Sequence, residues 1–370
     1  MMRRCLDLLV ASVVVTTMAA CSTAEDASVD TAANSVASAA TTPTTTVVPT
    51  TTRAPTTTGA PTTTVAPTTT IAPEGTALAL CANETTFELG QVADPMLDEA
   101  SGLVASRRHR GVVWAHNDGS ERPGLFALGD DGADLGFHPL MLDGVVDVED
   151  MAMISGAEGD EILLGDIGDN GASRSSIRMY RFAEPDPAVI APIADVEVLE
   201  YTYPDRAHNA EVVLVDDVNR SVVIVTKEQR RVVGIPAELG PTAPSFVFEG
   251  PLDIGGDESV ELALVGTLDA PLLETRTVAD PPHPISRLGL GGLPTGGDVS
   301  ADGALIALRT YETAWVWPRQ AGTSVAESLA SDPCQARVAP ENQGEAVAFR
   351  DSTLITLSEG VNPFLFELRP

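Results

Sequence analysis

The sequence predicts an all-β chain: a single β-propeller with five clear blades, room for a sixth, and a ring closed by an N-terminal strand. Three observations predict it. Short apolar or β-branched runs at residues 111–116, 161–164, 221–226 and 353–357 are bounded by turn residues, and no dozen residues keep a 3.6 period. An acid, a short apolar strand, a turn and a stronger strand ending in polar residues recur along the chain. The leading acids Glu99, Glu149, Glu211, Asp298 and Glu345 stand 50, 62, 87 and 47 residues apart. Repeats of about 40–50 residues are blade-sized.

The ends of the chain read differently. Arg3 and Arg4 precede an apolar run of eleven residues, 8–18, too short to span a bilayer and suited to a signal peptide. The run ends in Met18-Ala19-Ala20-Cys21, which resembles a bacterial lipobox. That resemblance implies cleavage after residue 20 and acylation of Cys21; the alternative is ordinary secretory cleavage. Two or three acyl chains anchor stably where one does not. Residues 1–20 are therefore expected as a lipoprotein signal peptide.

Residues 21–75 are expected to form a disordered tether. Pro43, Pro49, Pro55, Pro61, Pro67 and Pro73 recur every six residues, and all but the last are followed by three threonines. Such a segment buries too little to offset its ordering entropy. As polyproline II its 33 repeat residues reach roughly 100 Å, at ~3.1 Å each. Thr/Pro tracts of this kind are also typical O-glycosylated stalks.

The folded domain is expected over residues 76–370. The whole chain carries 22 basic and 53 acidic side chains, net −31. Residues 1–75 hold three arginines and five acids, which leaves the domain at −29. This charge excludes general nucleic-acid binding, which needs a basic face to displace counterions. Once Cys5 leaves with the leader and Cys21 is lipidated, Cys81 and Cys334 remain in an oxidising setting and are expected to pair. The alternative is two buried thiols. A loop this long gives roughly 5 kcal/mol in the chain-entropy model. The last blade lacks a fourth strand after residues 364–366, and residues 85–89 are expected to supply it.

Several phrases resemble a family of secreted β-propeller proteins common in actinobacteria. They include Ser101-Gly102-Leu103, His116-Asn117-Asp118, Glu149-Asp150-Met151-Ala152, Gly165-Asp166-Ile167-Gly168-Asp169-Asn170 and Gln343-Gly344-Glu345-Ala346. Where related members tend to have Trp before the Glu-Asp pair, this chain has Val148. The family has no established activity. A more distant likeness, to calcium-dependent propeller hydrolases, is architectural.

In a propeller, innermost strands start on the face where second strands end. Acids at both places should converge on one mouth of the central channel. Glu99, Glu149, Asp166, Asp169, Glu211, Asp298 and Glu345 are the expected ligands of a Ca²⁺-type ion, since hard oxygen donors with little Cys or His favour Ca²⁺ or Mg²⁺. The alternative is that these acids cap turns and fasten blades. His116 and Asp118 are the catalytic candidates, with His208 as the other acid/base histidine. No Gly-x-Ser-x-Gly, His-Glu-x-x-His or phosphate-binding glycine loop occurs. The expected role is a monomeric ligand- or partner-binding module on the outer face of the cell membrane, held there through Cys21. The alternative is a metal-dependent hydrolase of esters, lactones or phosphoesters.

Overall fold

A computed structural model describes residues 73–83, 85–229, 243–255, 258–268 and 290–370. The expected leader, Cys21 and nearly all of the tether lie outside the described residues.

The chain enters through helix α1 (Pro73–Ala82) and strand β1 (Thr86–Gln91). Twenty further strands follow among the described residues; nineteen of them, with β1, form five antiparallel four-stranded blades. Blade 1 is β2 (Ala100–Ala105), β3 (Val112–Asn117), β4 (Gly124–Gly129) and β5 (Asp134–Pro139). Blade 2 is β6 (Val148–Gly156), β7 (Gly159–Asp166), β8 (Ile177–Ala183) and β9 (Glu197–Thr202). Blade 3 is β10 (Ala210–Asp216), β11 (Ser221–Thr226) and β12 (Ser245–Pro251), with β14 (Ala263–Leu268) outermost; β13 (Ser259–Glu261) leaves it to pair in parallel with β9 of blade 2. Blade 4 is β15 (Pro294–Val299), β16 (Leu305–Thr310), β17 (Ala314–Pro318) and β18 (Cys334–Ala336), with helix α2 (Val325–Leu329) between its last two strands. Blade 5 is β19 (Gly344–Arg350), β20 (Thr353–Ser358) and β21 (Phe364–Leu368), completed by β1. The β1–β21 pairing, from Thr86 opposite Leu368 to Gln91 opposite Phe364, closes the ring as the sequence predicts.

The innermost strands explain why the sequence reads as short apolar runs. Successive side chains of a strand face opposite sides. In β10, Val213 and Val215 pack toward blade 2, while Val212 and Leu214 pack toward blade 4. Both faces are buried, so no polar alternation survives. Five apolar clusters fill the five gaps between neighbouring blades, including the gap between blades 5 and 1. Five interfaces close the ring, which leaves no place for a sixth blade among the described residues. The 87-residue spacing is taken up by blade 3, the β13 excursion, and residues 269–289 outside the described set.

Buried carboxylates tie the innermost strands together across the axis. Asp150 Oδ2 of blade 2 accepts from the amides of Val213 (2.8 Å) in blade 3 and Gly297 (3.1 Å) in blade 4. Asp298 Oδ2 of blade 4 accepts from Phe349 N (2.7 Å) in blade 5. An amide N–H that meets a carboxylate is worth more than a neutral hydrogen bond.

Helix α1 is the element the sequence does not signal, being ten residues long with no 3.6 period to detect. Pro73 begins it, at a position where its missing N–H costs nothing. Ala77 and Leu80 bury against blades 4 and 5. A disulfide joins Cys81, on this helix, to Cys334 on the outermost strand of blade 4 (Cα–Cα 5.9 Å, 253 residues apart). The helix contributes few buried apolar side chains, so the covalent link carries much of its docking. Cys334→Ser is expected to lower the unfolding free energy in urea by roughly 2–5 kcal/mol. Reduction of the unchanged protein should give the same loss.

Candidate functional site

Each innermost strand begins with the same irregularity. One residue is looped out of the pairing with the second strand: Ser101, Glu149, Glu211, Thr295 and Glu345 in blades 1 to 5. A β-bulge of this kind leaves its extra residue unpaired and re-aims the side chain. Here the five bulges form a ring at one end of the channel. Ser101 and Thr295 use theirs to fasten the next blade, donating to the carbonyls of Glu149 (2.6 Å) and Gly344 (3.0 Å). The three glutamates aim theirs at the channel.

A second ring lies beside the first. The residues just past each second strand are Asp118, Ile167, Lys227, Tyr311 and Glu359. Together the rings bound a chamber of about 190 Å³, faced by Asp118, Glu149, Glu211, Glu345 and Glu359, with Lys227 and Tyr311. Five carboxylates thus share the space with one ammonium. Lys227 Nζ donates to both oxygens of Glu211 (2.5 Å each) and to Tyr311 Oη (2.6 Å). It also lies 4.7 Å from the Tyr311 ring centroid. Burial alone would lower the lysine's pKa, but Glu211, Tyr311, Glu345 and Glu149 outweigh it and hold it well above the ordinary value.

The carboxylates are pushed the other way. Burial, then the charges of Glu211, Asp118 and Asp147, raises Glu149 well above the usual range. Burial and the Glu211 charge raise Glu345 against the pull of Lys227. Burial first, then nearby carboxylates, brings Asp118 and Glu359 up to about 7. Too much negative charge in too little water is the common cause.

One group of acids is close enough to chelate. Asp118, Asp147 and Glu149 each offer an oxygen within 4.8 Å of the others. Asp147 is held by its own backbone, its amide donating to Asp166 Oδ1 (2.9 Å). Gly168 makes the geometry possible: a Cβ there would lie 2.2 Å from Glu149 Oε1 and 2.5 Å from Asp147 Oδ2. Oδ1 of Asp118 is buried without a hydrogen-bond partner among the described residues. Glu149 is 4% exposed and lines the chamber beside it.

The structure brings Glu149, Glu211, Glu345 and Asp118 together and sets the other expected residues apart. Glu99 is exposed and precedes its strand, in the position that Asp147 takes in blade 2. Asp298 lies near the end of β15, and its carboxylate belongs to the opposite mouth. Asp166 is fully engaged by the amides of Val146 and Asp147, by Arg174 (2.7 Å) and by Tyr180 Oη (2.7 Å). Asp169 closes a turn, accepting from the amides of Ser173 (2.6 Å) and Arg174 (2.7 Å). These last three fasten the fold. His116 is buried and does not line the chamber; its Nδ1 donates to the Asn117 carbonyl (2.9 Å) and its Nε2 faces Gly102. Burial holds its pKa down at about 4, so the ring is neutral at pH 7. His208 is likewise enclosed, with Glu228 at 2.6 Å on Nδ1 and Asp205 at 3.0 Å on Nε2.

Asp147 is the residue that sequence reasoning missed. Its signal was present: in Asp147-Val148-Glu149 the two acids stand at i and i+2, the spacing that shares one side of an extended chain.

Comparison with known proteins adds little. No family model matches the chain, and no curated protein matches it. Among solved structures it is similar to the PQQ-bound aldose sugar dehydrogenase of Streptomyces coelicolor, with 12% identity over 78% of this chain and 98% of that one, and a TM-score of 0.42. A chain of the nidogen/laminin complex gives 10% identity over 74% and 81%, with a TM-score of 0.37. A luciferin-regenerating enzyme gives 9% identity over 78% and 96%, with a TM-score of 0.38. Similarity at this level says nothing about the residues of the chamber.

Two outcomes follow from the electrostatics. Lys227→Gln leaves Glu211 without its partner and should cost roughly 3–5 kcal/mol at pH 8. At pH 5 the cost should shrink, as the glutamates protonate. The second concerns the unchanged protein in metal-free buffer. Asp118 and Glu359 titrate near 7 when folded, against 3.8 and 4.5 as ordinary groups. Between those values the folded state holds protons that the unfolded state has lost, so stability falls as pH rises from about 5 to 8. Melting temperatures across that window check the sign, and Glu359→Gln should flatten the slope.

Proposed function

We propose that this chain is a surface lipoprotein presenting an acidic propeller on a Thr/Pro tether, and that its chamber binds a divalent cation of the calcium class on Asp118, Asp147 and Glu149. The observation that carries the reading is Asp118 Oδ1, buried without a hydrogen-bond partner among the described residues and within reach of the carboxylates of Asp147 and Glu149. A buried charge without a partner is costly enough that a proton or a cation must accompany it. Ligand oxygens up to 4.8 Å apart suit an ion at about 2.4 Å from each, within the calcium range. An all-oxygen donor set favours Ca²⁺ or Mg²⁺ over softer metals. The lipobox-like Met18-Ala19-Ala20-Cys21 and the proline repeat support the anchored, outward-facing placement.

With an ion bound, the chamber would hold a positive centre facing Glu211, Glu345, Glu359 and Lys227. This arrangement suits capture of a ligand that shares the cation's coordination sphere. The second reading, a metal-dependent ester, lactone or phosphoester hydrolase, draws on Asp118 and Glu359. Both titrate near 7, where a general base works best.

Thermal unfolding of the full chain, stripped of metal and titrated with Ca²⁺, tests the proposal. Linkage gives about 3–4 kcal/mol of added stability at 100–1,000 times Kd. Glu149→Gln should raise the stability of the metal-free protein, because it removes a buried carboxylate repelled by Glu211, Asp118 and Asp147, and should abolish the calcium response. A melting temperature indifferent to Ca²⁺ and Mg²⁺ would overturn the reading.

A further inference from the structure

The far mouth of the channel has a different chemistry. The innermost strands end there, and a cavity of about 480 Å³ opens between Arg107 and Arg110 on one side and Asp298, Phe349 and Arg350 on another. The turn between β2 and β3 reads Ser106-Arg107-Arg108-His109-Arg110-Gly111, which puts three arginines in four positions of a chain that has 22 basic residues against 53 acids. The turn is firmly shaped. Ser106 Oγ accepts from His109 N (2.7 Å), and Gly111 takes a φ of +80°, open mainly to glycine.

Elsewhere arginines are met by carboxylates: Arg174 by Asp166, Arg181 by Glu161, Arg309 by Glu341 and Arg319 by Asp216. Arg108 and Arg110 are exposed and make no ion pair or hydrogen bond among the described residues. In so acidic a chain, adjacent guanidiniums left unmet are unusual. Arg107 is steered by Ser155 Oγ (3.1 Å) and more loosely by Asp217 (3.5 Å). Arg350 is braced by Glu367 (2.5 Å). Three acids share this wall. Asp298 gives its oxygens to the amides of Val299 (2.8 Å) and Phe349 (2.7 Å), while Asp130 and Asp351 are exposed at the rim.

We propose that this mouth is an anion site for a multiply charged phosphate-type group, held by Arg107 and Arg110 from blade 1 and by Arg350 from blade 5. The planar guanidinium fork matches phosphate oxygens in pairs, and several forks around one cavity favour a dianion or larger. The cavity has room for more than one phosphate, so pyrophosphate or a phosphodiester suits it better than a single small ion. The net charge of the domain does not forbid this. Charges beyond about 8 Å are largely screened at physiological salt, and within the cavity three guanidiniums face the carboxylates of Asp130, Asp298 and Asp351, of which Asp298 is occupied by two backbone amides.

Titration calorimetry of the full chain with pyrophosphate, in metal-free buffer at about 0.15 M ionic strength, tests the site. One-to-one binding is expected, weakened at least tenfold by Arg107→Ser/Arg110→Ser. An equal change of charge away from the hairpin, Arg122→Ser/Arg178→Ser, should leave it intact. Both double variants change exposed or partly exposed side chains, and unaltered melting curves would show that they fold. A second arm uses the chain carrying Cys21→Ser with vesicles of phosphatidylglycerol or phosphatidylcholine. Selective retention on phosphatidylglycerol that the hairpin variant loses would support the site and identify a lipid headgroup as its source; pyrophosphate binding alone would identify a free anion. If neither probe binds, or if the hairpin variant binds as well as the unchanged chain, the proposal fails.

Discussion

Everything at the acidic mouth depends on one residue looped out of register at the start of each innermost strand. A strand alternates its side chains, and a slip of one residue sends every side chain to the other face. Without the bulge, Glu149, Glu211 and Glu345 would sit in line with the residues that fill the apolar gaps between blades. With it, the strand keeps both buried faces apolar and still delivers one polar side chain to the channel. The same device serves two ends. Where the bulged residue is Ser101 or Thr295, the hydroxyl fastens the next blade. Where it is glutamate, the blade contributes charge to a shared chamber.

That charge then sets the chemistry. Three bulged glutamates and the neighbouring Asp118 and Glu359 cannot all ionise in a chamber of about 190 Å³. Lys227 offsets one of them, as an internal cation held by Glu211 and Tyr311. The remainder is left to protons or to a metal. A propeller built from alternately packed β-branched strands has little other means of adjusting, since its wall is rigid and the carboxylates come from different blades.

Much of the architecture was legible in the sequence. The acid-led repeat gave the blade count, and the unpaired last blade pointed to closure by residues near 85–89, where β1 now stands. The site was only partly legible. Glu149, Glu211 and Glu345 announce themselves because the acid at the start of the repeat is also the bulged residue. In blades 1 and 4 the bulge falls on Ser101 and Thr295, so the conspicuous acids nearby, Glu99 and Asp298, lie outside the ring. Nothing in composition marks a one-residue register shift; it is set by pairing with the neighbouring strand. Asp166 and Asp169 mislead for a related reason. A short acidic loop that closes turns on Arg174 and backbone amides looks, in one dimension, much like one that wraps an ion. The wide third spacing hides β13, which leaves its own blade for the edge of the preceding one, a tertiary choice that local sequence does not encode.

The central claim is that the mouth chamber is completed by a hard cation. Its most direct test is anomalous diffraction at long wavelength from crystals of the protein grown with calcium chloride. The account predicts one strong anomalous peak about 2.3–2.6 Å from oxygens of Asp118, Asp147 and Glu149. A chamber without such a peak at saturating calcium, or a peak in the Asp166–Asp169 turn instead, would contradict it.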